Sequence, residues 1–82
     1  MSPKLKNVKV RRFIRALKKD GFVLKRQHGS HRIYVHPQKG RQVIVSYHHS
    51  GETIPTGLLH GLIEDASWTE GDLIRLKLMR RG

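Results

Sequence analysis

Gly21-Phe-Val-Leu-Lys-Arg-Gln-His-Gly-Ser-His-Arg-Ile-Tyr-Val-His36 is the stretch that decides the architecture. Phe22 to Lys25 reads as a strand. His31 to His36 reads as a second strand, closed by Pro37, with His31, Ile33 and Val35 alternating against Arg32, Tyr34 and His36. Between them, His28-Gly29-Ser30 forms a tight turn, where glycine supplies the positive φ that hairpins need. If Ile33 and Val35 turn toward the core, His31 turns with them, because strand side chains repeat with a period of two. His36, before a proline, is expected to face solvent, and Tyr34 either packs on the sheet or offers a ring for base stacking.

Upstream, Val10, Phe13, Ile14 and Leu17 fall at i, i+3, i+4 and i+7. That spacing predicts a helix over about residues 9–19, stopped by Gly21. Its other sides carry Arg11, Arg12, Arg15, Lys18 and Lys19. Downstream, Gln38-Lys39-Gly40 is a turn, and Gln42 to Tyr47 is a third strand with Val43, Val45 and Tyr47 on one face. A polar loop, His48 to Thr53, leads to a second helix near Pro55 with an apolar stripe of Leu58, Leu59, Leu62 and Ile63. Thr69 is a candidate N-cap for a short C-terminal helix burying Leu73, Leu76 and Leu78 or Met79. The order helix, three-stranded antiparallel sheet, helix predicts an α+β two-layer sandwich with one sheet face open.

At 82 residues the chain has room for one domain, spanning 1–82. Its net charge of +11 is unevenly placed. Residues 1–50 hold thirteen Lys/Arg and one acid, Asp20, whereas residues 51–82 hold four Lys/Arg and five acids. A basic half beside a near-neutral half implies a polyanion on one side of the molecule. There is no cysteine, so disulfides and thiolate metal sites are excluded. Met-Ser-Pro-Lys-Leu-Lys has no apolar run behind it and does not read as a secretory signal. No apolar segment has transmembrane length, and a cytoplasmic location is the expectation. The terminal Arg-Arg-Gly assigns nothing further.

His31 is the candidate catalytic group. RNA carries its own nucleophile, the ribose 2′-hydroxyl, beside the scissile phosphate. A protein need only move protons and stabilise the extra negative charge. An imidazole can move a proton, and Arg or Lys can stabilise the charge. From spacing alone, packing at a strand end is favoured over catalysis for His31. Arg11, Arg12, Arg15, Lys18, Lys19, Lys25, Arg26 and Arg32 are the expected phosphate contacts. Ser30 cannot join His31 in a triad, since neighbours in a strand point to opposite faces. For His28, His31, His48 and His49 the spacing across the turn is weak evidence of a metal site and the high positive charge opposes a divalent cation, so neither a metal nor another cofactor is expected.

The series Lys19-Asp20-Gly21-Phe22, Arg26, Gly29-Ser30-His31, Tyr34 and His36-Pro37 resembles the HicA toxin family. The likeness continues through Val43-Ile44-Val45, Tyr47-His48, Ile54-Pro55, Gly57, Leu59, Ile63 and Asp65-Ala66, over about residues 8–75. The resemblance implies a fold like that of double-stranded RNA-binding domains. It also implies metal-independent cleavage of messenger RNA, with His31 as the required histidine and Gly29 and Ser30 shaping its turn. The implied partners are RNA and a HicB-type antitoxin, with no membrane. The competing expectation is a non-catalytic RNA- or DNA-binding module, which shares the charge and the fold but needs no histidine.

Overall fold

Helix α1 runs from Val10 to Asp20 and is held at both ends by backbone rather than side-chain caps. This computed structural model describes residue 5 and residues 7–80, so most of the N-terminal hexapeptide and the Arg81-Gly82 end lie outside the described residues. Two of the unpaired donors in the first turn of α1 are satisfied by the 48–53 loop. Val10 N–H donates to Glu52 O at 2.9 Å and Arg11 N–H to Ser50 O at 3.0 Å. At the other end Gly21 takes a left-handed conformation, φ 107°, and Phe22 N–H returns to Leu17 O at 2.9 Å. The expected i, i+3, i+7 stripe is buried as Val10, Phe13 and Leu17, joined by Ala16, while Ile14 is half-buried.

Three antiparallel strands follow in the order β1-β2-β3: β1 Val23–His28, β2 His31–His36 and β3 Arg41–Ser46. Phe22 lies just outside β1 and is fully buried. Lys25 is the extra residue of a β-bulge, because Leu24 opposes Tyr34 while Arg26 opposes Ile33. Helix α2, Thr56–Ala66, follows Pro55, which is its N-cap rather than a first-turn residue. Helix α3, Glu70–Arg75, begins in a capping box. Thr69 Oγ1 accepts Asp72 N–H at 3.2 Å, and Thr69 N–H donates to Asp72 Oδ2 at 2.9 Å. The result is the α+β arrangement of double-stranded RNA-binding domains: helices on one face of a three-stranded sheet whose other face is open.

The faces of β2 are reversed from the expectation. Tyr34 and His36 are buried against the helices, while Ile33 and Val35 line the open face with His31. The register explains why. Directly opposed residues share a face, and Tyr34 opposes Val43 while Arg32 opposes Val45. Val43 and Val45 are fully buried, so they carry Arg32, Tyr34 and His36 inward with them. Tyr34 is therefore a core residue, not a stacking platform. Leu58, expected on the apolar stripe, is half exposed, and α2 instead buries Leu59, Leu62, Ile63 and Ala66.

The core is centred on aromatic rings from three segments. Trp68 packs against Phe13 at 5.4 Å and edge-on against Phe22 at 6.3 Å, and Phe22 meets the His36 ring edge-on at 5.1 Å. His36 is buried in hydrogen bonds, contrary to expectation. Its Nδ1 accepts Lys39 N–H at 3.2 Å, so Nε2 carries the proton and donates to Asp20 O at 2.7 Å. The Asp20 carboxylate beside it gathers three donors: Lys39 Nζ at 2.7 Å, Trp68 Nε1 at 2.8 Å and Arg75 Nη2 at 2.7 Å. Burial alone would raise this carboxyl, but the Lys39, Trp68 and Arg75 bonds outweigh burial and lower it to about 2. One aspartate thus ties the end of α1 to the β2–β3 turn, the α2–α3 connection and α3.

Candidate functional site

The corner that holds His31 is built by a two-residue hairpin. His28 pairs directly with His31, and only Gly29 and Ser30 lie between them. Gly29 has φ 56°, the positive value a hairpin needs at its first central position. The turn is pinned from behind through the Ser30 carbonyl, which accepts Tyr47 N–H at 3.1 Å and Arg32 Nη1 at 3.4 Å. Arg32 Nη1 also donates to Tyr47 O at 3.4 Å, and the guanidinium stacks 4.0 Å from the Tyr47 ring centroid. Gln27 Nε2 donates to Gly29 O at 3.3 Å. These bonds fix the backbone under His31 before any ligand arrives.

His31 itself is exposed on the open face of the sheet. The rim of the core, where α1 was expected to deliver its arginines, lies on the other side. Register gives the actual neighbours. His28 opposes His31 from β1, Ser46 opposes it from β3, and Arg26 and Ile44 flank Ile33 in the next row. Val23, Val35 and Gln42 form the row after that. The open face is therefore polar at the turn end and apolar beyond it, with Val23 and Ile44 about half exposed.

The eight expected phosphate contacts divide into groups. Arg26 lies on the His31 face, and Lys25 is exposed at the bulge. Arg32 is on the helix side, where it donates to the Ser30 and Tyr47 carbonyls. Arg11 sits at the His31 end of the molecule, where α1 begins beside the 48–52 loop. A Cβ on Gly51 would lie 3.7 Å from both Arg11 Nη1 and His49 Nδ1. In that loop, Glu52 Oε1 accepts His49 N–H at 2.8 Å and His48 N–H at 2.6 Å. These bonds lower the Glu52 carboxyl below its usual range.

Arg12, Arg15 and Lys19 form a separate stripe that lines a groove with Ala16, Leu76 and Lys77. Arg12 closes one wall by donating to the Lys77 carbonyl. The ion pairs among the described residues all converge on Asp20 and Asp72, from Lys39 and Arg75. No carboxylate within ion-pair distance neutralises Arg15, Lys18, Lys19 or Lys77 among the described residues. The groove is thus an open cationic channel on the helix layer, remote from His31.

Two features escaped the sequence reading. One is the pairing of His28 with His31, since His28 reads there only as part of the turn and as a weak metal-ligand candidate. Once the loop is two residues long, the flanking positions must oppose each other, which is signal enough to find it. The other is Lys77, whose contribution to the groove depends on how α3 packs along α1 and has no local signature.

A family model described as "HicA toxin of bacterial toxin-antitoxin" matches residues 10–68, from the first residue of α1 to Trp68. A search of curated proteins finds no match to the chain.

Proposed function

This chain belongs to the HicA toxin family of bacterial toxin–antitoxin systems, and from that premise we propose that it is an endoribonuclease that cuts messenger RNA and so arrests growth. The observation that carries this reading is His31: an exposed imidazole on a hairpin corner locked by four hydrogen bonds, facing an open sheet surface that a single strand can reach. His31 takes the proton of the ribose 2′-hydroxyl, typically a gain of about 10²–10⁴-fold. The hydroxyl oxygen attacks phosphorus, and the bond to the 5′-oxygen breaks. The products are a 2′,3′-cyclic phosphate and a 5′-hydroxyl. Arg26 on the same face, one row from His31, stabilises the negative charge that develops on the phosphoryl oxygens, and Lys25 and Arg11 contact phosphates further along the strand. A HicB-type antitoxin is the partner this reading requires, and covering the open face would silence His31.

The mechanism depends on the ribose. An RNA oligonucleotide cleaved by the protein at a mapped position is remade with one deoxyribose at that position. Cleavage at the altered site is expected to disappear while neighbouring sites persist. Equal cutting of the deoxy position would rule out 2′-hydroxyl attack. A binding-only reading is favoured by one observation, the cationic groove on the layer opposite His31. Tight RNA binding by wild-type protein with no strand scission would support it.

A further inference from the structure

Breaking RNA by its own 2′-hydroxyl moves two protons, one off the attacking oxygen and one onto the leaving oxygen. The reading above, on which this inference rests, gives the first to His31 and leaves the second without a donor. We propose that His28 is that donor, the general acid that protonates the 5′-oxygen as its bond to phosphorus breaks.

His28 and His31 are a directly opposed cross-strand pair, so both imidazoles leave the sheet on the same, open face. Their Cβ atoms are rooted about 5 Å apart. Each ring can reach an oxygen at about 3 Å, so the pair can address opposite sides of one phosphorus. The two-residue turn at Gly29-Ser30 and the bonds to Ser30 O keep this spacing fixed. Both side chains are exposed, so a strand of RNA meets them together.

Position within the sheet assigns the roles. His31 is on the central strand, with Ser46 on its other side, and is the more enclosed of the two positions. His28 is on the edge strand β1, where the departing chain can leave without crossing the sheet. No other titratable side chain of the described residues directly opposes His31, since its second partner is Ser46. Atoms balance: the proton taken by one imidazole is matched by the proton given by the other, and the P–O5′ electron pair ends on the new hydroxyl.

The test separates acid from base by making the leaving group easy. A substrate whose 5′-oxygen at the cut site is replaced by sulfur needs no proton to depart. His28→Ala is expected to slow cleavage of ordinary RNA by about 10²–10⁴-fold and to restore near-wild-type rates on the sulfur substrate. His31→Ala is expected to stay slow on both. Circular dichroism melting of both variants checks that the exposed positions leave the fold intact. Wild-type rates for His28→Ala on ordinary RNA would overturn the proposal while leaving the ribonuclease reading in place. A defect that persists on the sulfur substrate would also overturn it, by showing that His28 is not the acid. A wild-type protein that cuts neither substrate would remove the ribonuclease reading and this inference together.

Discussion

Replacing Asp20 by asparagine removes one charge from the junction that joins α1, the β2–β3 turn and α3. The carboxylate is nearly buried, with its side chain 6% exposed, while its cationic partners Lys39 and Arg75 are 30% and 48% exposed. Its fall from 3.8 to about 2, at about 1.4 kcal/mol per pK unit, caps the charge contribution near ~2.5 kcal/mol. Solvent screening of the two exposed cations reduces that to about 1–2 kcal/mol. An asparagine has one acceptor oxygen where three donors converge, so the Trp68 N–H or a cation also loses its partner, costing about 1 kcal/mol more. The expected loss is therefore about 2–3 kcal/mol near neutral pH, a large share of the roughly 4–12 kcal/mol available to a chain of this length. At about 4–8 °C per kcal/mol, the melting temperature should fall by roughly 10–20 °C.

The sign of the pH dependence follows from the depressed carboxyl. Because the folded value lies below the unfolded one, the stabilisation is fully present above about pH 4 and is lost as pH falls toward about 2. Asp72 and Glu52 are also lowered and titrate in both proteins, so the difference between the two is the quantity to follow. Denaturant unfolding of wild type and Asp20→Asn from pH 7 to pH 2 should show a gap that narrows across that window. A gap that is absent at pH 7, or that stays constant down to pH 2, would refute this account of the junction.

Gly21→Ala should destabilise by about 2–4 kcal/mol, because Gly21 has φ 107° and a Cβ would lie 2.8 Å from His36 Nε2. Gly40→Ala, at φ 65° with open space around it, should cost only about 1–2 kcal/mol, and equal melting temperatures for the two variants would contradict this. Removing two groove cations by Arg15→Gln with Lys19→Gln should lower the slope of log affinity for single-stranded RNA against log salt by about 1.4. Titrations of labelled RNA with His31→Ala protein read that slope without cleavage, and an unchanged slope would exclude both side chains from phosphate contact.

Local chemistry made most of the elements legible. The period of α1, glycine at its end, the Gly29 turn, Pro37 and the Thr69 cap each act within a few residues, and the corresponding boundaries fall within about one to three residues of the reading. Which face of β2 points inward was not legible from β2 alone. Its Ile33 and Val35 are as apolar as Tyr34, and only pairing with Val43 and Val45 decides between the two sets. The same limit hid the Asp20 junction, since Lys39, Trp68 and Arg75 lie 19, 48 and 55 residues away from it. His36 read as a surface residue because its partners, the Asp20 carbonyl and the Lys39 amide, are supplied by the tertiary fold. For the site, the histidine and its turn were visible at once. Its separation from the stripe formed by Arg12, Arg15 and Lys19 followed from the face reversal and was not.

The most direct trial compares purified wild type with His31→Ala, each mixed with a messenger RNA in excess chelator, followed by mapping of the fragment ends. Wild type should produce cyclic phosphate ends, and the variant, equally folded because the ring is exposed, should produce essentially none. Cleavage at the same sites and rates by both proteins would contradict the assignment of proton transfer to His31.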